Sequence, residues 1–171
     1  MGNIYKVVIT GPFGVGKTEF VRSISDIPIV MTEKRITNEL AAVKEETTVA
    51  MDYGQVRIGD DLFHLYGTPG QPRFEFMWDI LAKEMDGFVL LVDSCDLNSF
   101  MQARQLLRVF QRKTDVPYLI AANKQDQLTA MSLEEIRKRL GLTPEIPVIS
   151  CIAIDKASVR NVMEELQAIL R

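Results

Sequence analysis

The eight residues Gly11-Pro12-Phe13-Gly14-Val15-Gly16-Lys17-Thr18 have the spacing G-x-x-x-x-G-K-[ST], and the chemistry this spacing serves is the holding of phosphates. Glycines at 11, 14 and 16 let the backbone wrap closely round an anion. The amides of Gly14, Val15, Gly16 and Lys17 then point inward at a helix N-terminus, where negative charge is favoured. Lys17 is placed to reach the β- and γ-phosphates and the Thr18 hydroxyl to ligate Mg²⁺, with Glu19 completing the nucleotide-binding set at the start of the helix.

A second polar stretch, Asn123-Lys124-Gln125-Asp126, directly follows a buried apolar run. A carboxylate there can accept two hydrogen bonds, from guanine N1–H and from its exocyclic amine. Adenine offers neither group in that place, so Asp126 selects GTP over ATP. Asn123 would brace the loop, and the stem of Lys124 could lie over the base. Alone the string is a weak signal, but in register after a phosphate loop it is strong.

These residues need elements to hold them, and the chain alternates accordingly. Residues 4–9 are β-branched and apolar and read as a strand, whereas 19–24 have helical spacing. Residues 26–47, with Pro28 and mixed charge, read as a long irregular segment of the kind that serves as a switch or lid. Residues 49–58 and 62–66 flank a glycine turn as a hairpin. A helix is expected over 74–85, strands over 88–92, 118–122 and 147–150, and helices over 99–113, 132–140 and 155–170. Ser132 with Glu135 forms a capping box, and Gly141 closes that helix. The pattern predicts an α/β fold with three αβα layers. Its six-stranded sheet is mostly parallel, with one antiparallel hairpin edge strand. In such sheets ligands sit at the carboxyl ends of the strands, where every motif above falls.

Composition narrows the class. The chain has 171 residues, 47% of them hydrophobic, and a net charge of −3. That length suits one domain spanning 1–171, and the charge gives no footprint of nucleic-acid binding. Cys95 and Cys151 have no metal-ligand partners in sequence and read as buried free thiols in a reducing cytoplasm. No apolar run approaches the ~20 residues of a membrane span. Met1-Gly2 begins like a myristoylation signal, but Lys6 stands where Ser or Thr is needed. The expectation is a cytoplasmic protein with no membrane anchor of its own. His64, the only histidine, has no partner in sequence and is given no catalytic role.

In this order the motifs resemble those of the Ras-like small GTPases, over essentially the whole chain. The resemblance implies a P-loop NTPase fold, GTP and GDP as ligands and Mg²⁺ as cofactor. It makes Glu46-Thr47-Thr48-Val49 the first switch, with Thr48 sensing Mg²⁺ and the γ-phosphate. It makes Gly67-Thr68-Pro69-Gly70-Gln71 the second, with the Gly70 amide on the γ-phosphate and Gln71 orienting the attacking water. Ser150-Cys151-Ile152 stands where the family has S-A-x, which puts the Cys151 amide on guanine O6. The departure is Gly67, where the family has the aspartate that holds Mg²⁺ through water. Glycine before Thr-Pro-Gly-Gln looks like a prokaryotic branch similar to the bacterial gliding-motility (Mgl-type) GTPases. That likeness implies a switch activated by a small roadblock-fold partner. Asp52 or Asp93 could supply the missing carboxylate. Asp93 is the favoured one, because it ends a central strand, with a capping role as its alternative.

The implied activity is slow hydrolysis of GTP, helped by a partner, with Arg35 or Arg73 as candidate arginine fingers. An effector or activating protein is expected on the first switch and on residues 74–81. There Phe74, Phe76, Met77 and Trp78 cannot all face one core. The stripe Arg104, Arg108, Arg112 reads as a solvated helix face. Two other readings stand beside the switch: a GTP-binding interaction module with little hydrolysis, supported only by Gly67, and a small phosphate-loop kinase, which gives Asp126 no purpose.

Overall fold

Seven stretches pair as strands among the described residues: β1 (Ile4–Thr10), β2 (Val30–Asn38), β3 (Glu45–Ile58), β4 (Asp61–Gly67), β5 (Gly87–Asp93), β6 (Tyr118–Asn123) and β7 (Val148–Ser150). Five α-helices accompany them: α1 (Lys17–Ile24), α2 (Met77–Glu84), α3 (Phe100–Lys113), α4 (Leu133–Leu140) and α5 (Lys156–Leu170). The structure, a computed structural model, describes residues 1–38, 45–69 and 77–171, with the side chains of 32–38, 45–50 and Met77 outside that description. The strands form one sheet in the order β2-β3-β4-β1-β5-β6-β7. From β4 to β7 the pairings are parallel, whereas β2–β3 and β3–β4 are antiparallel.

The sheet thus has seven strands rather than six. The extra one, β2, lies within the stretch expected to be irregular, and β3 begins at Glu45 rather than at residue 49. The reason is positional. An edge strand pairs through its backbone and tolerates charge, so Glu33, Lys34 and Arg35 hide the alternation that marks inner strands. The hairpin closes on Gly59, whose φ of 59° suits the first central position of a two-residue turn.

Alternation sorts the core into two halves. Val7 and Ile9 of β1, Val89 and Leu91 of β5, and Leu119 and Ala121 of β6 face α1 and α5. Val8, Phe88, Leu90, Val92, Ile120 and Ala122 point the other way, onto α2, α3 and α4. β5 is buried along its whole length because helices cover both faces. On the α3 side Phe110 is fully buried, with ring centroids 5.0 Å from Phe88 and 5.9 Å from Trp78. Phe110→Ala should cost about 3–5 kcal/mol, read as a lower denaturant midpoint at unchanged slope.

α2 corrects part of the surface expected over 74–81. Trp78 and Leu81 are buried and so are interior rather than docking surface, and Ile80 is half-buried against the same core. Phe74 and Phe76 lie outside the described residues, as does the side chain of Met77. Cys151 is buried and Cys95 half-buried, both as free thiols. No helix of the described residues is long and apolar enough to cross a membrane.

The far end of the hairpin is tied to both ends of the chain. Asp61, buried at the start of β4, accepts hydrogen bonds from the Asn3 amide (2.8 Å), Gln167 Nε2 (2.7 Å) and Arg171 Nη2 (2.8 Å). The Asn3 amide, then Gln167 and Arg171, hold its carboxyl down at about 2.

Candidate functional site

β1 ends at a loop whose three glycines all take positive φ: 152° at Gly11, 78° at Gly14 and 107° at Gly16. At two of them a side chain would also collide. A Cβ on Gly11 would lie 2.3 Å from the Leu91 carbonyl oxygen, and one on Gly16 would lie 2.6 Å from Asn123 Nδ2. The loop leads into α1 with no side-chain cap at Gly16, which leaves the first amides of the helix to an external acceptor. Lys17 Nζ folds back to donate to the Gly11 and Pro12 carbonyl oxygens, at 2.6 and 2.9 Å. Burial pushes its ammonium down to about 8, against the raising effect of the Asp52 charge.

Asp52 is the residue that fills the gap left at Gly67. The two are direct partners in the β3–β4 ladder. A Cβ built on Gly67 would lie 3.3 Å from Asp52 Cβ and 3.7 Å from Asp52 Oδ2. The carboxylate reaches from β3 into the space beside residue 67, and Thr18 Oγ1 donates to its Oδ2 at 2.5 Å. Asp93 is otherwise engaged. Its Oδ1 accepts from the Cys95 amide (2.9 Å) and its Oδ2 from Lys124 Nζ (2.7 Å). Asp93 thus takes the capping alternative, at the Cys95 amide, together with the ion pair to Lys124, and Asp52 is the carboxylate in contact with Thr18. A hydroxyl and a carboxylate oxygen in contact suit a hard cation such as Mg²⁺, which takes oxygen ligands.

Two clefts meet at Gly16 and Glu19. The first, of about 580 Å³, is lined by Gly14, Lys17, Thr18, Asp52, Gly67 and Thr68, with Phe13 and Met31 as exposed apolar walls. The second, of about 250 Å³, is lined by Asn123, Lys124, Asp126, Ile152, Ala153 and Ile154. Asn123 ties them together: its Nδ2 donates to the Val15 carbonyl and its Oδ1 accepts from the Ala153 amide, both at 2.8 Å. Lys124 adopts φ 67°, the only positive value among the described non-glycine residues. Its ion pair with Asp93 raises its pKa. Strained backbone of this kind collects at functional sites. Asp126 is exposed, its Oδ2 accepting from Gln127 Nε2 at 3.2 Å.

The third loop departs from the expected register. The Cys151 amide donates to the Ala122 carbonyl at 2.9 Å, extending the β6–β7 pairing, so it is not available to a base. Burial also pushes the Cys151 thiol up to about 12. Ser150, exposed at the end of β7, does not line the cleft, whereas Ala153 and Ile154 beside Ile152 do. The residues that wall the cleft lie after Ser150 and Cys151. The wall is built from the apolar residues there, and only the alanine of Ile152-Ala153-Ile154 could have signalled that. Gly70, Gln71 and Arg73 lie outside the described residues, and Thr48 and Arg35 are placed by backbone alone, as partners in the β2–β3 ladder.

The family model for the ADP-ribosylation factor (Arf) family matches residues 5–170. The chain belongs to that family. Among its relatives, an uncharacterized protein of Methanocaldococcus jannaschii is 33% identical over 121 residues, covering 71% of this chain and 70% of the relative. The mutual gliding-motility protein MglA of Myxococcus xanthus is 28% identical over 147 residues, covering 79% and 74%. ADP-ribosylation factor-like protein 10 of Mus musculus is 31% identical over 140 residues, covering 80% of this chain but 52% of the relative. The Arf-family match and the sheet order agree on a Ras-like P-loop GTPase fold.

Proposed function

We propose that this Arf-family domain is a GTP/GDP switch that binds GTP with Mg²⁺ and hydrolyses it slowly to GDP and phosphate. The observation that carries the reading is the Asp52 carboxylate against Thr18 and beside Gly67, which supplies the acid this chain lacks in its second switch. The phosphates occupy the cleft over Lys17 and Thr18, and the guanine occupies the cleft at Asp126. Lys17 leaves the Gly11 and Pro12 carbonyls for the β- and γ-phosphate oxygens. The Gly14–Lys17 amides share that charge. When bound, Mg²⁺ would supply charge neutralisation for the phosphates, and Thr18, Asp52 and Thr48 are the residues that would hold it, directly or through water. Gln71 orients a water for attack on the γ-phosphorus. The bond to the β-γ bridging oxygen breaks, and the water's proton ends on the departing phosphate.

An activating partner, of the roadblock fold that the gliding-motility likeness suggests, would complete the site. Arg35 and Arg73 remain the candidate fingers. Arg22 lines the cleft but is paired with Glu19. The reading without hydrolysis has the missing carboxylate at residue 67 as its sequence support, and Asp52 beside Gly67 weighs against it. Single-turnover hydrolysis tests the proposal: wild type should convert bound GTP to GDP, and Gln71→Leu should slow this at least about tenfold with unchanged affinity. Binding without turnover, under every partner tried, would leave an interaction module instead.

Lys17 adds a pH dependence. Its ammonium titrates at about 8 in the free protein, and polyphosphate favours the charged form, so its pKa rises on binding. Affinity for GDP should be level below about pH 8 and fall above it by up to tenfold per pH unit, measured by calorimetry across that range. Lys17→Arg, which stays charged, should flatten the fall.

A further inference from the structure

Away from the nucleotide clefts, a groove of about 380 Å³ runs between α3 and α4. One wall carries Arg104 and Arg108, one turn apart on α3, and the other carries Lys138 and Arg139 on α4. Gln105 also lines it, and no carboxylate does. The chain as a whole has 23 acidic against 20 basic residues, so this is a local reversal of sign. Arg139 is paired with Glu135 at 2.8 Å, whereas Arg104, Arg108 and Lys138 form no ion pair among the described residues. Met101, on α3, also lines it and is 73% exposed, a soft and adaptable apolar contact.

We propose that this groove docks an acidic segment of a partner protein, with Asp or Glu side chains between the two basic walls and one apolar side chain on Met101. Charge complementarity selects the sign of the occupant, and concavity selects its shape. A chain segment can enter between two helices and meet both walls, whereas a flat bilayer reaches only their rims. The groove lies on the α3–α4 side of the sheet, apart from the residues of both nucleotide clefts, so the partner it recruits need not compete with nucleotide.

The test uses the full chain and a fluorescein-labelled Glu-rich peptide carrying one leucine, followed by anisotropy. Binding is expected, and should weaken as salt rises well beyond about 0.1 M, where the screening length is already about 10 Å. Arg104→Glu/Arg108→Glu should weaken it about tenfold or more, and Lys138→Glu should weaken it to a smaller extent. Lys156→Glu, an exposed cation on α5, should leave it unchanged. Thermal midpoints check that the variants fold, and Arg104→Gln/Arg108→Gln replaces the reversal if it does not. No peptide binding, equal loss with Lys156→Glu, or capture by phosphatidylserine vesicles without capture of the peptide would each overturn the proposal.

Discussion

Asp126→Asn should lower affinity for GDP and GTP by a hundredfold or more, with far less effect on any residual binding of ATP. Two hydrogen bonds from guanine to a carboxylate are at stake, and bonds to a charged group contribute about 1.5–3 kcal/mol each. The amide that replaces the carboxylate can accept only one of them, and its NH₂ then faces the exocyclic amine of guanine, donor against donor. Xanthine carries a carbonyl in place of that amine, so the variant should regain part of the lost affinity with xanthosine diphosphate. Calorimetry with GDP, ADP and xanthosine diphosphate separates the cases. Unchanged GDP affinity in the variant would remove Asp126 from base recognition and with it the preference for guanine. The exposure of Asp126 and its weak tie to Gln127 leave its carboxylate open to this role.

The second large effect is expected at Asp52. Asp52→Asn keeps the shape of the side chain and removes its charge, and should lower the Mg²⁺ dependence of nucleotide affinity by about 10–100-fold, the range found for residues that orient metal ligands. Loss of its charge also lets burial act unopposed on Lys17, so the pH above which affinity falls should move below about 8. Gly67→Asp alone crowds two carboxylates into one space, since its Cβ would lie only 3.3 Å from that of Asp52. It should destabilise the fold, whereas Asp52→Gly/Gly67→Asp should recover both stability and Mg²⁺ response. Release of labelled nucleotide with and without chelator reads each variant. An Asp52→Asn protein with a wild-type Mg²⁺ response would place the ion elsewhere.

How much of this was legible in sequence depends on the reach of each constraint. The phosphate loop could be read because its glycines answer local demands, a positive φ or a close backbone, that no other residue meets cheaply. β5 and β6 could be read because strands buried on both faces have continuous apolar runs. β2 could not, since an edge strand's partner is visible only once β3 is beside it. The choice between Asp52 and Asp93 meets a related limit. Position at the end of a central strand favours Asp93, and the Cys95 amide two residues on takes it in the capping role named beside that preference, but the Lys124 contact, 31 residues away, cannot be inferred from spacing. Cys151 could not be read as ladder: its amide bonds the Ala122 carbonyl, so the cleft wall begins only at Ile152. Side-chain neighbours across strands set these outcomes, and a single sequence does not display them.

The pairing of Asp52 with Gly67 has a consequence for descent. The two positions are fifteen apart in the chain yet opposite each other in the ladder, so the acid can change strands only by two substitutions. Either order passes through an ancestor with two acids in one space or with none. The first is crowded, and if the acid holds the ion as proposed the second holds it more weakly, so lineages with the acid on one strand should rarely cross to the other. Where the acid stands can then serve as a marker of branching among these switches, steadier than overall identity, and relatives with glycine at the position of Gly67 should carry an acid at the position of Asp52.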